Sequence, residues 1–170
     1  MTISMYQASV PVFQKLLDNL DLILDKAAAD AATRKIDQSV FLQARLSPDM
    51  FAFTRQVQIA ADFAKGTASR LAGVEVPKYD DNEASFADLK ARLRRTQDYI
   101  AGFKPAQIDG SEERDVTFKT GRGDLQFKGL AYLLNFAMPN FYFHYTTAYD
   151  ILRHNGVVLG KSDFVAGRSA

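Results

Sequence analysis

The sequence predicts a single, mainly α-helical domain with a small β-hairpin inserted into it. Apolar residues recur at steps of three and four along four long segments, which is the pattern of four helices packed as a bundle. Between the third and fourth segments the apolar residues alternate with polar ones, which is typical of strands. The length of 170 residues fits one domain, spanning 1–170, with a self-sufficient core.

The composition excludes several kinds of site before any motif is considered. The chain has no Cys, so it has neither disulfides nor Cys-ligated metal, and its two His cannot form a three-His zinc site within one chain. Its 21 basic and 20 acidic residues give a net charge of +1. Because a nucleic-acid-binding domain usually carries a basic surface, we expect no nucleic-acid partner.

Targeting and membrane signals are also missing from the sequence. Met1–Val10 has no basic stretch followed by an apolar run, as a signal peptide would. The most apolar segment, Leu130–Phe143, is shorter than the roughly 20 residues that span a bilayer, and Asn and Pro interrupt it. We therefore expect a buried helix there, no membrane partner and a cytoplasmic location.

The first long helix is predicted over about Ser4–Ala31, with Ser4 as its N-cap and one apolar stripe along its length. Pro11 should kink or restart this helix near its beginning. A short helix is expected over Gln38–Ala44, and the Ser-Pro pair at 47–48 should stop it.

The second long helix is predicted over Pro48–Leu71, with Ser47 as its cap and Gly73 as its C-terminal stop. Its apolar residues are dense, so it should be buried on more than one side. The polar stretch Val74–Asn82 that follows contains a proline and is predicted to be a loop.

The third long helix is predicted over Ser85–Ala101, where Ser85 and Asp88 form a variant of the capping box and Gly102 ends the helix. This helix carries a basic cluster, and such a cluster is usually a solvated face. Its members are Lys90, Arg92, Arg94 and Arg95.

The period changes after the third helix. Apolar and polar residues alternate over Val116–Lys119 and again over Leu125–Lys128, with the Gly-rich stretch Gly121–Asp124 between them. This pattern predicts a β-hairpin, and the turn lacks the residues of a phosphate-binding loop. Because a lone hairpin is marginal in water, it should pack its apolar face on the helices.

The fourth long helix should begin after Gly129 and continue to about His154, with a kink or break at Pro139 and a stop at Asn155-Gly156. The tail Val157–Ala170 is predicted to be loop-like. Six aromatic residues crowd this helix, so it is either central in the bundle or part of a subunit interface. They are Phe136, Phe141, Tyr142, Phe143, Tyr145 and Tyr149. A base-stacking platform is disfavoured, because no Lys or Arg is interleaved with them.

The two histidines have different expected roles. His154 lies beside Arg153 in the last turn, where a cation complements the helix dipole, so it should be a capping or surface residue. Asn140, His144 and Thr147 share one face of an otherwise apolar helix and would need partners once buried. They either frame a small polar pocket, with His144 as a candidate catalytic residue, or place a hydrogen-bonded His in the core.

Five stretches together resemble a known family over nearly the whole chain. They are SMYQASVPVF at 4–13, ARLSPDMF at 44–51, RQVQIAADFAKG at 55–66, RLAGVEVP at 70–77 and YLLNFAMPNFYFHYTTAYDILRHNGVVLGKSDF at 132–164. They look like a bacterial family of uncharacterised proteins, a domain of unknown function within the DinB/YfiT-like metalloenzyme superfamily. The last block is long and specific.

The resemblance implies a DinB-like four-helix bundle that is commonly a homodimer. Proteins of this superfamily typically bind a divalent metal, zinc or nickel, through three His. One of these lies on the second helix, and two lie four residues apart on the last. Some members are thiol-dependent transferases or isomerases that use mycothiol or bacillithiol.

The superfamily positions can be carried over by register. The last helix often has an Arg nine residues after its second His, which here matches Arg153 and His144. The first His then corresponds to Asn140, and counting back from the end of the second helix places the remaining ligand near Gln58. Asp62 follows Gln58 by one helical turn and could add a carboxylate.

This ligand set predicts a site without a metal. Neutral amides are poor ligands for zinc or nickel, and two better ligands are too few for a tight site. We expect no cofactor and a hydrogen-bonded polar pocket, in a homodimer that binds a small molecule or partner there. The expected pocket residues are Gln58, Asp62, Asn140, His144 and Thr147. The alternative is a metal- or thiol-cofactor-dependent transferase, isomerase or hydrolase, in which His144 and Asp62 hold zinc or nickel or His144 acts as a base.

Overall fold

The computed structural model describes residues 3–121 and 123–166, and this part of the chain is mainly helical. The elements in chain order are α1 (Val10–Arg34), α2 (Gln38–Leu42), α3 (Phe53–Ala72), α4 (Phe86–Ala101), α5 (Pro105–Ile108), β1 (Asp115–Thr120), β2 (Gly123–Lys128), α6 (Gly129–Tyr132), a π-helical turn (Leu133–Ala137), α7 (Met138–His154) and α8 (Lys161–Val165). The mainly helical prediction, with one hairpin before the last long helix, is confirmed.

The four long helices α1, α3, α4 and α7 surround a shared apolar core. Helix α4 packs on α1 and α3, and α7 packs on α3 and α1. Their inward side chains include Phe13, Leu17, Leu71, Leu89 and Phe141, all fully buried. Helix α3 is buried around almost its whole circumference, as its dense apolar pattern predicts. No helix in the described part of the chain is both long enough and apolar enough to cross a membrane.

Helix α1 begins six residues later than predicted. The residues before Val10 form turns, in which the Ser4 hydroxyl accepts a hydrogen bond from the Gln7 amide over 3.3 Å. Pro11 lies in the first turn of the helix, where N–H groups have no acceptor within the helix, so its missing N–H costs no helical hydrogen bond. The predicted restart at this proline is therefore the true beginning of the helix.

Helix α3 also begins later than predicted, at Phe53 rather than Pro48. The Ser47 hydroxyl donates to the Asp49 carboxylate over 2.5 Å, so it closes a local turn instead of capping the helix. Phe51, which lies within the predicted helix but before the observed one, is 56% exposed. At the other end Gly73 adopts the left-handed conformation with φ 72°, which confirms the predicted C-terminal stop.

The beginning of α4 matches the predicted cap. The Ser85 hydroxyl accepts a hydrogen bond from the Asp88 amide over 3.0 Å, and the Asp88 carboxylate accepts from the Ala84 amide over 3.0 Å. These bonds satisfy two amides at the helix N-terminus that have no partner within the helix.

The hairpin packs its apolar face on the last helical region, as predicted. Strands β1 and β2 are antiparallel, with Phe118 opposite Leu125 and Val116 opposite Phe127. The Phe118 ring lies 5.7 Å from that of Tyr132 and 5.4 Å from that of Phe136, centroid to centroid. Within the predicted turn Gly121–Asp124, Arg122 lies outside the described residues.

The break predicted at Pro139 takes the form of the π-helical turn that precedes it. A proline lacks the N–H that would continue the α-helical ladder, and a π-helical turn accommodates the interruption. The six aromatic residues differ in burial: Phe141 and Tyr145 are fully buried, Phe136 and Tyr149 are partly buried, and Tyr142 and Phe143 are 40% and 55% exposed.

The tail contains a helix that the sequence did not predict. Helix α8 packs on α1, and the Asn19 amide and the Tyr145 hydroxyl each donate to the Phe164 carbonyl over 2.9 Å. A helix of five residues is unstable on its own, so α8 depends on these contacts with residues that are distant in the sequence. Residues 167–170 of the predicted loop lie outside the described part.

Candidate functional site

His144 lies in the second turn of α7, where it is hydrogen-bonded to α3 rather than to its own helix. Its Nδ1 is 2.7 Å from the Oε1 of Gln56, and the Nε2 of Gln56 donates to the Phe51 carbonyl over 3.0 Å. The bond to Phe51 fixes which end of the amide faces the ring. Because an amide oxygen only accepts, Nδ1 of His144 carries the proton and Nε2 is left with the lone pair.

Burial determines the charge of this histidine. Its removal from water, followed by the positive charge of Arg55, lowers the pKa of His144 from 6.5 to about 4. The imidazole is therefore neutral at pH 7. It lies between two rings, with Phe63 stacked at 6.1 Å and Phe143 edge-on at 5.2 Å.

Gln58, expected to face the histidine, points elsewhere. Its Nε2 donates to the Glu83 carboxylate over 2.7 Å, and its Oε1 accepts from Arg55 over 3.1 Å. Gln56 and Gln58 are separated by about 200° around a helix. Gln56 therefore faces α7 while Gln58 faces the loop before α4, and the α3 residue in contact with His144 is Gln56.

Asn140 and Thr147 each hydrogen-bond to the backbone of their own helical region. The Asn140 amide donates to the Phe136 carbonyl in the π-helical turn, and the Thr147 hydroxyl donates to the Phe143 carbonyl, both over 2.7 Å. The predicted hydrogen-bonded trio of Gln58, Asn140 and His144 therefore does not form among the described residues. A pair, Gln56 and His144, takes its place.

A buried arginine organises the neighbouring polar residues. Arg92 on α4 was expected on a solvated face, but only 2% of its side chain is exposed. Its guanidinium lies 2.9 Å from Asp62, 3.0 Å from Asp81 and 2.9 Å from Glu83. It also donates to the Asp80 carbonyl over 3.0 Å. One cation thus joins α3, α4 and the loop between them.

The charges around Arg92 keep it ionised. Burial by itself would lower its pKa, but the hydrogen bond with Glu83 and the negative charges of Asp62, Glu83 and Asp81 raise the pKa above its ordinary value. Tyr79, a residue of the same loop, adds further contacts, because its ring lies 3.8 Å from the Lys65 ammonium and 3.9 Å from the Arg95 guanidinium.

A cavity of about 350 Å³ opens between α3, β1 and the π-helical turn. It is lined by Arg55, Ile59, Asp62, Phe63, Arg70, Phe118, Lys119, Thr120 and Phe136. Phe63 also stacks on His144, so one ring is shared by the cavity and the Gln56–His144 pair. This volume falls within the range of small-molecule sites.

A second, more open groove of about 470 Å³ lies on the outer face of α7. It is lined by Leu46, Met50, Pro139, Tyr142, Phe143, Thr146, Thr147 and Asp150. The residues predicted to share one pocket are thus divided, because Asp62 lines the cavity between α3, β1 and the π-helical turn, whereas Thr147 lines this groove.

The donor atoms around His144 do not fit a zinc or nickel site. Gln56 occupies Nδ1 of the single imidazole, and Asp62 is bound by Arg92 and Lys65. The amides nearby are weak ligands. Across residues 3–121 and 123–166, no cluster of three or more His, Cys, Asp or Glu could hold a metal ion.

Sequence reasoning overlooked three residues that matter here. Gln56 lies two positions before Gln58, the residue that register selected. A polar residue inside a helix that is buried on all sides was the signal that could have identified Gln56. Arg92 could not be recognised, because its carboxylate partners come mainly from a loop. Arg70 on α3 lies close to Phe118 only because the hairpin folds back on the helix.

The fold has a solved counterpart. The chain is similar to the crystal structure of a DinB family member protein from Shewanella denitrificans, with 41% sequence identity and a TM-score of 0.87. The match covers 95% of this chain and 91% of the other. At this identity and coverage the likeness places the protein in the DinB-like class of helical proteins.

A particular family within that class is also identified. Residues 5–165 match the model of a domain of unknown function, DUF1993, and the chain belongs to this family. The resemblance drawn from the five sequence stretches is thereby confirmed. No curated protein matches the chain.

Replacing Arg92 with Met should leave the Glu83 carboxylate buried without its cation. We expect the free energy of unfolding to fall by about 3 kcal/mol, the usual cost of removing one member of a buried ion pair. Urea unfolding measures the change. The matched control is Arg94→Met on the exposed side of α4, which should stay within about 0.5 kcal/mol of wild type. Equal effects of the two substitutions would contradict the role assigned to Arg92.

The imidazole of His144 should titrate with a midpoint near pH 4, followed by NMR, with His154→Gln used to assign its signal. Its pKa is lower in the folded than in the unfolded chain, so the unfolded chain binds more protons between about pH 4 and 6.5. Stability should therefore fall as the pH is lowered through this window. His144→Gln should weaken that dependence, and a midpoint near 6.5 would contradict the burial argument.

Proposed function

We propose that this protein binds a small molecule next to the Gln56–His144 pair without a metal ion. The observation that carries the proposal is the 2.7 Å contact between the His144 ring and the Gln56 amide. A metal centre would need further strong ligands at this place, whereas an amide gives the ring a hydrogen bond. The cavity beside Phe63 offers room for a ligand.

The acid–base properties of His144 support binding over catalysis. An effective general base has a pKa near the working pH, and a pKa of about 4 makes the neutral ring a weak base. A neutral imidazole with a fixed Nδ1 proton is still a good hydrogen-bond acceptor through Nε2. The ring is therefore suited to accepting a hydrogen bond from an N–H or O–H group through Nε2.

Metal analysis of protein purified without a histidine tag tests this proposal. After chelation and equilibration with one equivalent of zinc or nickel, followed by desalting, we expect far less than one metal per chain by mass spectrometry. Wild type and His144→Ala should retain equally little metal. Chelation should leave the thermal unfolding midpoint unchanged.

One equivalent of metal in wild type that is lost in His144→Ala would overturn the metal-free proposal. That result would instead support a metal- or thiol-cofactor-dependent transferase, isomerase or hydrolase, with His144 as a ligand. Retention of metal by both proteins would point to a site elsewhere on the chain.

The outer groove on α7 supports a second part of the proposal, that the protein is a homodimer. Large apolar side chains are exposed around it: Tyr142 at 40%, Leu46 at 42%, and Phe143 at 55%. Such patches, rich in aromatic residues, are typical of subunit interfaces. A second copy of the chain is the proposed occupant. With a two-fold axis through the groove, the same exposed aromatic side chains of both copies would pack on each other and leave water.

Light scattering on the purified protein at micromolar concentration should give twice the mass of one chain. Phe143→Ser should shift the mass to that of the monomer, because it removes the exposed aromatic ring of a residue that lines the groove. Val158→Ser, at an apolar residue that is 78% exposed outside the groove, should leave the dimer intact. A monomeric wild type would refute the dimer.

A further inference from the structure

Three aromatic rings form part of the wall of the cavity between α3, β1 and the π-helical turn. Phe63, Phe118 and Phe136 are only partly buried, although each packs on the core. Ring centroids of Phe63 and Phe136 lie 5.9 Å apart, and those of Phe118 and Phe136 lie 5.4 Å apart. These faces are suited to an apolar or ring-bearing group.

Arg70 lines this apolar cavity and has no carboxylate partner among the described residues. Its Nη1 donates to the Tyr132 hydroxyl over 3.1 Å, and its guanidinium carbon lies 4.5 Å from the centroid of Phe118. The other two charged α3 residues in the cavity wall are paired: Arg55 with Asp81, and Asp62 with Arg92. The guanidinium of Arg70 therefore retains donors for an external anion.

The backbone of α3 makes room for this guanidinium. A Cβ atom built on Gly66 would lie 2.4 Å from Nη1 of Arg70, one helical turn away. Glycine inside a helix costs about 1 kcal/mol relative to alanine. The helix therefore carries an unfavourable residue at a position where a methyl group would displace the Arg70 guanidinium.

We propose that this cavity binds a small molecule with an apolar, ring-bearing body and one carboxylate or phosphate group, and that Arg70 binds the anionic group. The inference rests on the proposed function, because the cavity shares Phe63 with the His144 pair. It adds to that function the chemical class of the ligand and the residue that recognises it.

Charge and size both favour this class of ligand. Lys119 also lines the cavity, and with Arg55 and Asp62 neutralised by their own partners, Arg70 and Lys119 leave the cavity with an excess of positive charge. A guanidinium holds a carboxylate or phosphate through two parallel hydrogen bonds. A volume of about 350 Å³ accommodates a single ring with a short acidic arm.

Binding of three probes to the full-length protein tests the proposal by calorimetry and NMR titration. The probes are 3-phenylpropionate, its neutral analogue 3-phenylpropan-1-ol, and phenyl phosphate. We expect at least one of the anions to bind at least tenfold more tightly than the alcohol. The preferred anion distinguishes a carboxylate from a phosphate ligand.

Two substitutions connect the binding to Arg70. Arg70→Gln should weaken anion binding at least tenfold while leaving the weak affinity for the alcohol unchanged. Gly66→Ala should also weaken anion binding, although alanine favours the helix and the arginine is still present. Arg94→Gln, an exposed arginine on α4, is the control and should bind like wild type. Thermal unfolding of each variant shows whether the fold is kept.

Equal affinity for the acids and the alcohol would overturn the proposal, as would unchanged anion binding in a folded Arg70→Gln or Gly66→Ala protein. Absence of binding by all three probes at millimolar concentration would also overturn it. Failure here is distinguishable from failure of the proposed function, because the metal content of the protein is measured independently of these ligands.

Discussion

A buried positive charge is stable only when opposite charges surround it, and Arg92 meets this requirement with carboxylates from two different segments. Asp62 comes from α3, while Asp81 and Glu83 come from the loop that leads to α4. The loop has no regular secondary structure, so these ion pairs and the cations around Tyr79 hold it in place. The same contacts join the loop to α3, the helix that contributes Gln56 to the histidine pair and part of the cavity wall.

Helix α3 serves two polar arrangements on different faces. On one side Gln58 and Asp62 belong to the Arg92 network, and on the other Gln56 holds His144. Arg55 connects the two, since it bonds Gln58 and its charge disfavours protonation of the histidine. The electrostatics of the candidate site are therefore set partly by a network whose main role is to hold the fold together.

Features decided by local chemistry could be predicted from the sequence, and features that depend on distant partners could not. The Ser85 cap, the Gly73 stop and the hairpin follow from short patterns. The first turns of α1 and α3 were misplaced, because a serine such as Ser4 or Ser47 suits a local turn as well as a helix start. The burial of Arg92 and the choice of Gln56 over Gln58 depend on where a loop and a neighbouring helix lie in space.

The π-helical turn at Leu133–Ala137 separates the last helical region into two parts with different rotational phase. A π-helical turn contains one residue more than the α-helical turn it replaces, so side chains after it are displaced by about 100° around the axis. Tyr132 and Phe136 thus meet the hairpin, while His144 meets α3. The turn lets hairpin packing and histidine placement be satisfied separately, because the two parts present their side chains at different angles around the helix axis.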